Sequence, residues 1–149
     1  MPKKKVKNPE RSRRVKIIPS ILSKNKAEFT KHWKKISPYF SYAQIDIMDG
    51  EFTKQRNSIN PETVRLLTKK HKLEIHLMVD GVSKYMTRWA KLKNVQKIIW
   101  HYEANKNTQR IAAINNYLKN KKIKTGLAIN PNTSLASIKN IISDFDTIQ

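Results

Sequence analysis

An aspartate at position 46 and a histidine at position 76 are the side chains of this sequence best suited to chemistry. Asp46 lies in Gln44-Ile45-Asp46-Ile47-Met48-Asp49-Gly50, and His76 in Glu74-Ile75-His76-Leu77-Met78. A carboxylate beside an imidazole can pass protons, and the same two groups can hold a divalent metal. Thirty residues separate them, so they reach one point only if the two apolar runs are neighbouring strands. The elements between them must therefore supply a crossover.

That crossover pattern repeats along the chain. Val15–Ser20 reads as a strand, and Asn25–Ile36 as a helix with Asn25 and Glu28 as a capping pair and Phe29, Trp33 and Ile36 on one face. Tyr42–Met48 is the second strand. Asn60-Pro61 opens a helix to about Lys70, with Val64 and Leu67 inward. Leu73–Met78, Val95–His101 and Lys122–Ile129 are further strands. Helices are expected at Ser83–Lys91, around Ile111, Ile114 and Leu118, and at Ser134–Ile142 with Leu135, Ile138 and Ile141 on its face. Asp146-Thr147-Ile148-Gln149 reads as the opening of a sixth strand.

Strands alternating with helices every 23 to 30 residues predict an α/β fold with a parallel sheet. The three glycines, at 50, 81 and 126, form no G-x-G-x-x-G turn, which argues against a dinucleotide-binding sheet. A (β/α)₈ TIM-barrel type fits better, with about five β/α units and the start of a sixth strand, because Asp46, His76 and His101 fall near strand C-terminal ends. The expected organisation is a basic disordered tail over 1–14 and an incomplete barrel domain over 15–149.

Composition narrows the partners. The net charge of +20 invites a nucleic-acid reading, yet residues 1–16 carry eight Lys or Arg against one Glu and the remaining excess is dispersed. Lysine, isoleucine and asparagine supply 24, 18 and 13 residues, a bias that needs no partner to explain it. A nucleic-acid site would gather charge on one face with aromatics, so no nucleic-acid partner is expected beyond what the basic tail alone could attract. Pro2-Lys3-Lys4-Lys5-Val6-Lys7 also resembles a nuclear import signal, a pattern common in lysine-rich chains. No apolar run is long enough to span a membrane, and the absence of cysteine suits a cytoplasmic location.

Five blocks carry a resemblance to a known family. Ile17-Ile18-Pro19-Ser20-Ile21-Leu22-Ser23, Ile45-Asp46-Ile47-Met48-Asp49-Gly50-Glu51-Phe52, Ile75-His76-Leu77-Met78-Val79, His101-Tyr102-Glu103-Ala104 and Gly126-Leu127-Ala128-Ile129-Asn130-Pro131 occur in order and at compatible spacing. Together they resemble the ribulose-phosphate 3-epimerases. The resemblance implies a (β/α)₈ barrel that interconverts ribulose 5-phosphate and xylulose 5-phosphate through an enediolate. It implies Asp46 as catalytic acid/base and metal ligand, and His76 as second ligand. It further implies that Ser20, His76, Met48 and Met78 meet a phosphorylated pentulose. One divalent ion (Zn, Fe, Mn or Co) is the implied cofactor, and a homo-oligomer is possible.

The chain also departs from that pattern. Gln44 stands where the family usually has a histidine ligand, so metal binding is expected to be weakened or lost. Glu51 replaces a frequent histidine and Lys54 a frequent proline. The family's later strands, with the second acid/base aspartate, a further ligand and the phosphate loops, have no counterpart. We therefore expect a C-terminally truncated, atypical member whose 149 residues do not turn over alone. The alternatives are a degenerate non-catalytic barrel, a basic nucleic-acid-associated module, or an epimerase of another ketose. Read without the resemblance, Asp46 could tie a turn, His76 could be a hydrogen-bonded core residue, His101 and Glu103 read as scaffold, and His32 and His71 as solvated.

Overall fold

The computed structural model describes residues 15–149; the expected tail and import-like segment lie outside the described residues. Apolar alternation does build strands: β1 (Ser20–Ile21), β2 (Tyr42–Met48), β3 (Lys72–Met78), β4 (Val95–His101), β5 (Lys124–Ala128) and β6 (Thr147–Ile148). They form one sheet in the order β1-β2-β3-β4-β5-β6, every pair parallel. Sequential parallel strands joined by helical crossovers are the arrangement of a (β/α)₈ barrel, here over six strands.

The helices begin where the capping chemistry places them. In α1 (Lys26–Ile36), Asn25 Oδ1 accepts from the Glu28 amide at 3.0 Å. The Glu28 carboxylate reaches back to the Lys24 amide at 2.6 Å, one residue before the cap itself. Asn60 caps α2 (Pro61–Leu67) in the same way, accepting from Thr63 N at 2.9 Å with Pro61 in the first turn. The remaining helices are α3 (Val82–Trp89) and α4 (Thr108–Asn120).

Period-two alternation gives each strand two unlike faces. Ala43, Ile45 and Ile47 of β2, Leu73, Ile75 and Leu77 of β3, Ile98 and Trp100 of β4 and Leu127 of β5 join the buried core with Phe29, Trp33, Val64, Met86, Trp89, Ile111 and Leu118 of the helices. The alternate positions are polar for most of their length: Gln44 and Asp46, Glu74 and His76, Lys97 and His101. Glu74 and Lys97 form an ion pair at 3.2 Å on that face. Gly126 is required there, because a Cβ would sit 2.7 Å from Ile99 Cγ1.

Two expected elements differ. The first strand is Ser20–Ile21, not Val15–Ser20; β1 has β2 as its one partner, and Val15 and Ile17 are exposed. The expected helix over Ser134–Ile142 is instead two 3₁₀ turns, Leu135–Ile138 and Ile142–Asp144. Its apolar residues recur in steps of three, the period of a 3₁₀ turn, and Leu135 is exposed while Ile138 and Ile141 are buried.

Candidate functional site

Parallel register sets Asp46 directly beside His76 on β2 and β3, and Ser20 beside Gln44 on β1 and β2. Four side chains meet as a result. Asp46 Oδ2 accepts from the Ser20 hydroxyl at 2.7 Å, and Oδ1 from the Gln44 amide at 2.8 Å. His76 Nδ1 lies 3.2 Å from the same Oδ1. The Gln44 amide also reaches Ser20 Oγ at 3.4 Å. Burial would raise the Asp46 carboxyl, but the hydrogen bonds from His76, Ser20 and Gln44 outweigh it and hold the group below the usual aspartate range. Asp46 is thus a carboxylate at neutral pH.

The cluster continues across the sheet. His76 Nε2 lies 3.0 Å from His101 Nε2, with the two rings stacked, and the Phe52 ring packs on His101 at 4.9 Å between centroids. His101 Nδ1 faces Glu103 Oε2 at 3.5 Å, and both atoms are buried without a hydrogen-bond partner. Glu103 Oε1 accepts from the Asn130 amide at 2.8 Å and from the Thr133 hydroxyl. Burial pushes Glu103 up, yet those bonds outweigh it and keep it ionised. Burial first, and then the nearby His76, hold His101 below the usual imidazole range against the pull of Glu103.

A cavity of about 560 Å³ opens over Asp46 and His76, with Met48 and Met78 as apolar wall and Thr53, Lys54 and Gln55 at its rim. Asp46 is the one Asp or Glu side chain among those lining it. Ser20 does not line the cavity; it holds Asp46. A larger cavity, about 640 Å³, lies between α4 and Ser143–Asp146 at the strand N-terminal ends. Two acids line it, Asp144 and Asp146; Asp146 is tied to the Thr125 amide at 2.8 Å, and no histidine is among the lining residues, so the acid–imidazole pairing belongs to the smaller one.

Two neighbours fix the loop behind the site. Asp49, not Asp46, is the turn-tying aspartate: its Oδ1 accepts from Glu51 and Phe52 amides at 2.9 and 3.0 Å, and its Oδ2 from Asp80 at 2.7 Å. Asn57, which the sequence reading passed over, is buried and donates to the Asp46 carbonyl at 2.8 Å while accepting from Met48 N at 3.3 Å. The signal for it was an asparagine just before Ser58-Ile59-Asn60-Pro61, where a returning loop must satisfy a strand end. His32 and His71 are half-buried rather than solvated, bonded to Ser23 Oγ at 3.0 Å and Ser37 O at 3.1 Å.

Six sequential parallel strands with an acid and two imidazoles gathered at their C-terminal ends define a partial barrel with its site on the catalytic face. Comparison with known proteins assigns it further. The profile of the Ribulose-phosphate 3 epimerase family matches residues 16–149, so the chain belongs to that family. Curated ribulose-phosphate 3-epimerases from Rhodobacter capsulatus, Bacillus subtilis (strain 168) and Helicobacter pylori (strain ATCC 700392 / 26695) are 28%, 29% and 29% identical to it. These alignments take in 91%, 90% and 86% of this chain but only 59%, 61% and 57% of the relatives. The chain therefore spans about 60% of the length of the curated relatives it matches. No helix among the described residues is long and apolar enough to cross a membrane.

Proposed function

We propose that this chain carries the first half of a catalytic centre for epimerising a ketose phosphate at the carbon beside its ketone, with ribulose 5-phosphate as the substrate. The observation that supports this most is an ionised, triply hydrogen-bonded Asp46 on the floor of a cavity walled by Met48 and Met78. Asp46 would take the C3 proton of a substrate seated there. Ser20 and Gln44 hold the carboxylate in one orientation, and the two methionines limit water at the reacting carbon. Lys54, the one lysine or arginine among the lining residues, offers the rim an attraction for phosphate.

Those same hydrogen bonds weaken Asp46 as a base, so the reaction depends on stabilising the charge that develops on the ketone oxygen. A divalent ion would supply that stabilisation, held by Asp46 and His76, with the Gln44 side-chain oxygen as a weaker third donor if the amide turned. Asp46 and His76 are the two ordinary metal ligands among the lining residues, and it is the Gln44 amide nitrogen, not its oxygen, that faces Asp46. It is a sparse set: no three His, Cys, Asp or Glu among the described residues are grouped to hold a metal.

With Asp46 as the one acid on the cavity, the chain has a group for one face of the carbon. It should exchange the C3 hydrogen of ribulose 5-phosphate with solvent faster than it forms xylulose 5-phosphate. Exchange that persists unchanged in Asp46→Asn would remove the basis of this reading.

A further inference from the structure

Three backbone groups at the end of β2 have no strand beside them to bond. In an extended strand the N–H and C=O of alternate residues share one edge. The Gln44 amide donates to Pro19 O at 2.9 Å, so Gln44, Asp46 and Met48 turn their backbone groups toward β1. But β1 covers only Ser20–Ile21, opposite Gln44 and Ile45, and stops short of Asp46 O and of Met48 N and O. Buried backbone groups must find partners elsewhere.

Asn57 takes all three. Its Nδ2 donates to Asp46 O at 2.8 Å, its Oδ1 accepts from the Met48 amide at 3.3 Å, and its own amide donates to Met48 O at 3.1 Å. One residue thus replaces the length of neighbouring strand that β1 does not supply. Asn57 is buried and does not line the cavity over Asp46 and His76, so it acts from the strand edge rather than on a substrate.

We propose that Asn57 is a positioning residue for Asp46, fixing the backbone from which that carboxylate and the Met48 wall enter the cavity. The inference rests on reading Asp46 as the proton-transfer group. Ser20, Gln44 and His76 orient the carboxylate but hold only its oxygens. At the β3 edge it is Ile47 that turns its backbone groups to the sheet. The carbonyl of Asp46 therefore depends on Asn57. A reacting group misplaced by about 1 Å can lose about 100-fold in rate, so this hold bears on chemistry.

Closing the loop does not need the Asn57 side chain. Asp49 bridges to Arg56, the Asn57 amide reaches Met48 O, and the Ser58 amide donates to Lys24 O at 2.9 Å, all through backbone. Asn57→Ala keeps those ties and removes the two side-chain bonds. Asn57→Asp has the same size, keeps an acceptor for Met48 N, and sets an oxygen instead of a donor against Asp46 O.

Exchange of the C3 hydrogen of ribulose 5-phosphate in D₂O, with nitrogen-15 spectra of the substrate-free chain, tests the role. In both variants the rate at saturating substrate should fall about 10- to 100-fold, with the half-saturating concentration within about twofold of the parent's. Ser58→Ala, which removes a 3.3 Å hydroxyl contact to Lys24 O from the same loop, should leave the rate within about twofold. The Gln44 side-chain amide signals, which read the Asp46 oxygen they bond, should shift in both Asn57 variants. The Met48 amide should exchange about tenfold faster or more in N57A and stay protected in N57D, while Ile75, Leu77 and Ile98 keep their protection. Should N57D fail to fold, N57A carries the test.

An N57A rate within about twofold of the parent's, unmoved Gln44 signals, or amides freed alike throughout the sheet would each overturn the assignment. The functional reading fails separately. If the parent exchanges no C3 hydrogen, the epimerase proposal falls, while shifted Gln44 signals with a locally freed Met48 amide keep the positioning of Asp46. Parent exchange that N57A leaves intact sinks the positioning role alone.

Discussion

Replacing Asp46 by Asn should cost stability in a way that depends on pH. The carboxylate accepts from Ser20, Gln44 and His76 at 2.7, 2.8 and 3.2 Å. Hydrogen bonds to a charged group contribute about 1.5–3 kcal/mol and neutral ones about 0.5–1.5 kcal/mol. Asn keeps an oxygen for Gln44 and His76, and its NH₂ faces a Ser20 hydroxyl that can turn and accept. All three bonds survive in weaker form, at a loss of about 1 kcal/mol each. Leaving no charge to bury returns part of that. The net expectation is a loss of about 1–2 kcal/mol at pH 7 for D46N.

The sign with pH follows from the direction of the shift. The folded Asp46 carboxyl lies below its ordinary value, so its contribution is complete above the unfolded value of about 3.9 and is lost as pH falls through the folded one. Urea unfolding at pH 7, 5 and 3, with a chelator present, should show a full gap between the two proteins at pH 7 and 5 that narrows at pH 3. An equal gap at pH 3, or a D46N variant more stable at pH 7, would refute the claim that hydrogen bonding outweighs burial at this carboxylate.

Gly126→Ala should destabilise by about 1–3 kcal/mol, the usual cost of overpacking, because the new Cβ meets the branched Ile99 side chain at 2.7 Å. Thermal melts would show it, and Ile99→Ala in the same chain should return part of the loss; a G126A protein as stable as the parent would contradict the close approach. Gln44→His should tighten zinc binding by about tenfold or more, one step of 1.4 kcal/mol, by setting an imidazole beside Asp46 and His76. Calorimetric titration measures this, and an unchanged affinity would show that position 44 does not face the cation.

Much of this arrangement was legible in the residues. Asp46 and His76 were expected on neighbouring strands because each closes an apolar run of strand length, and the register puts them side by side. Asn25 and Asn60 marked helix starts because a short side-chain oxygen before an apolar face can satisfy a free amide. What failed depended on neighbours that local pattern does not record. Val15 and Ile17 have strand-forming side chains but find no strand partner among the described residues. Leu135, Ile138 and Ile141 have helical apolar spacing only loosely, and steps of three favour the tighter turn that forms. The contact of Glu103 with His101 was hidden too. Two positions past His101 it reads as scaffold, and only the register of β3, β4 and β5 brings it into line with His76, His101 and Thr133.

The central claim is that Asp46 is a proton-transfer group for one face of a ketose phosphate, in a chain spanning about 60% of its relatives' length. Its most direct test is proton NMR of ribulose 5-phosphate in D₂O with the purified chain and zinc. The C3 signal should disappear faster than xylulose 5-phosphate accumulates, and Asp46→Asn should abolish that loss. No exchange above the protein-free rate, or equal exchange by D46N, would contradict it.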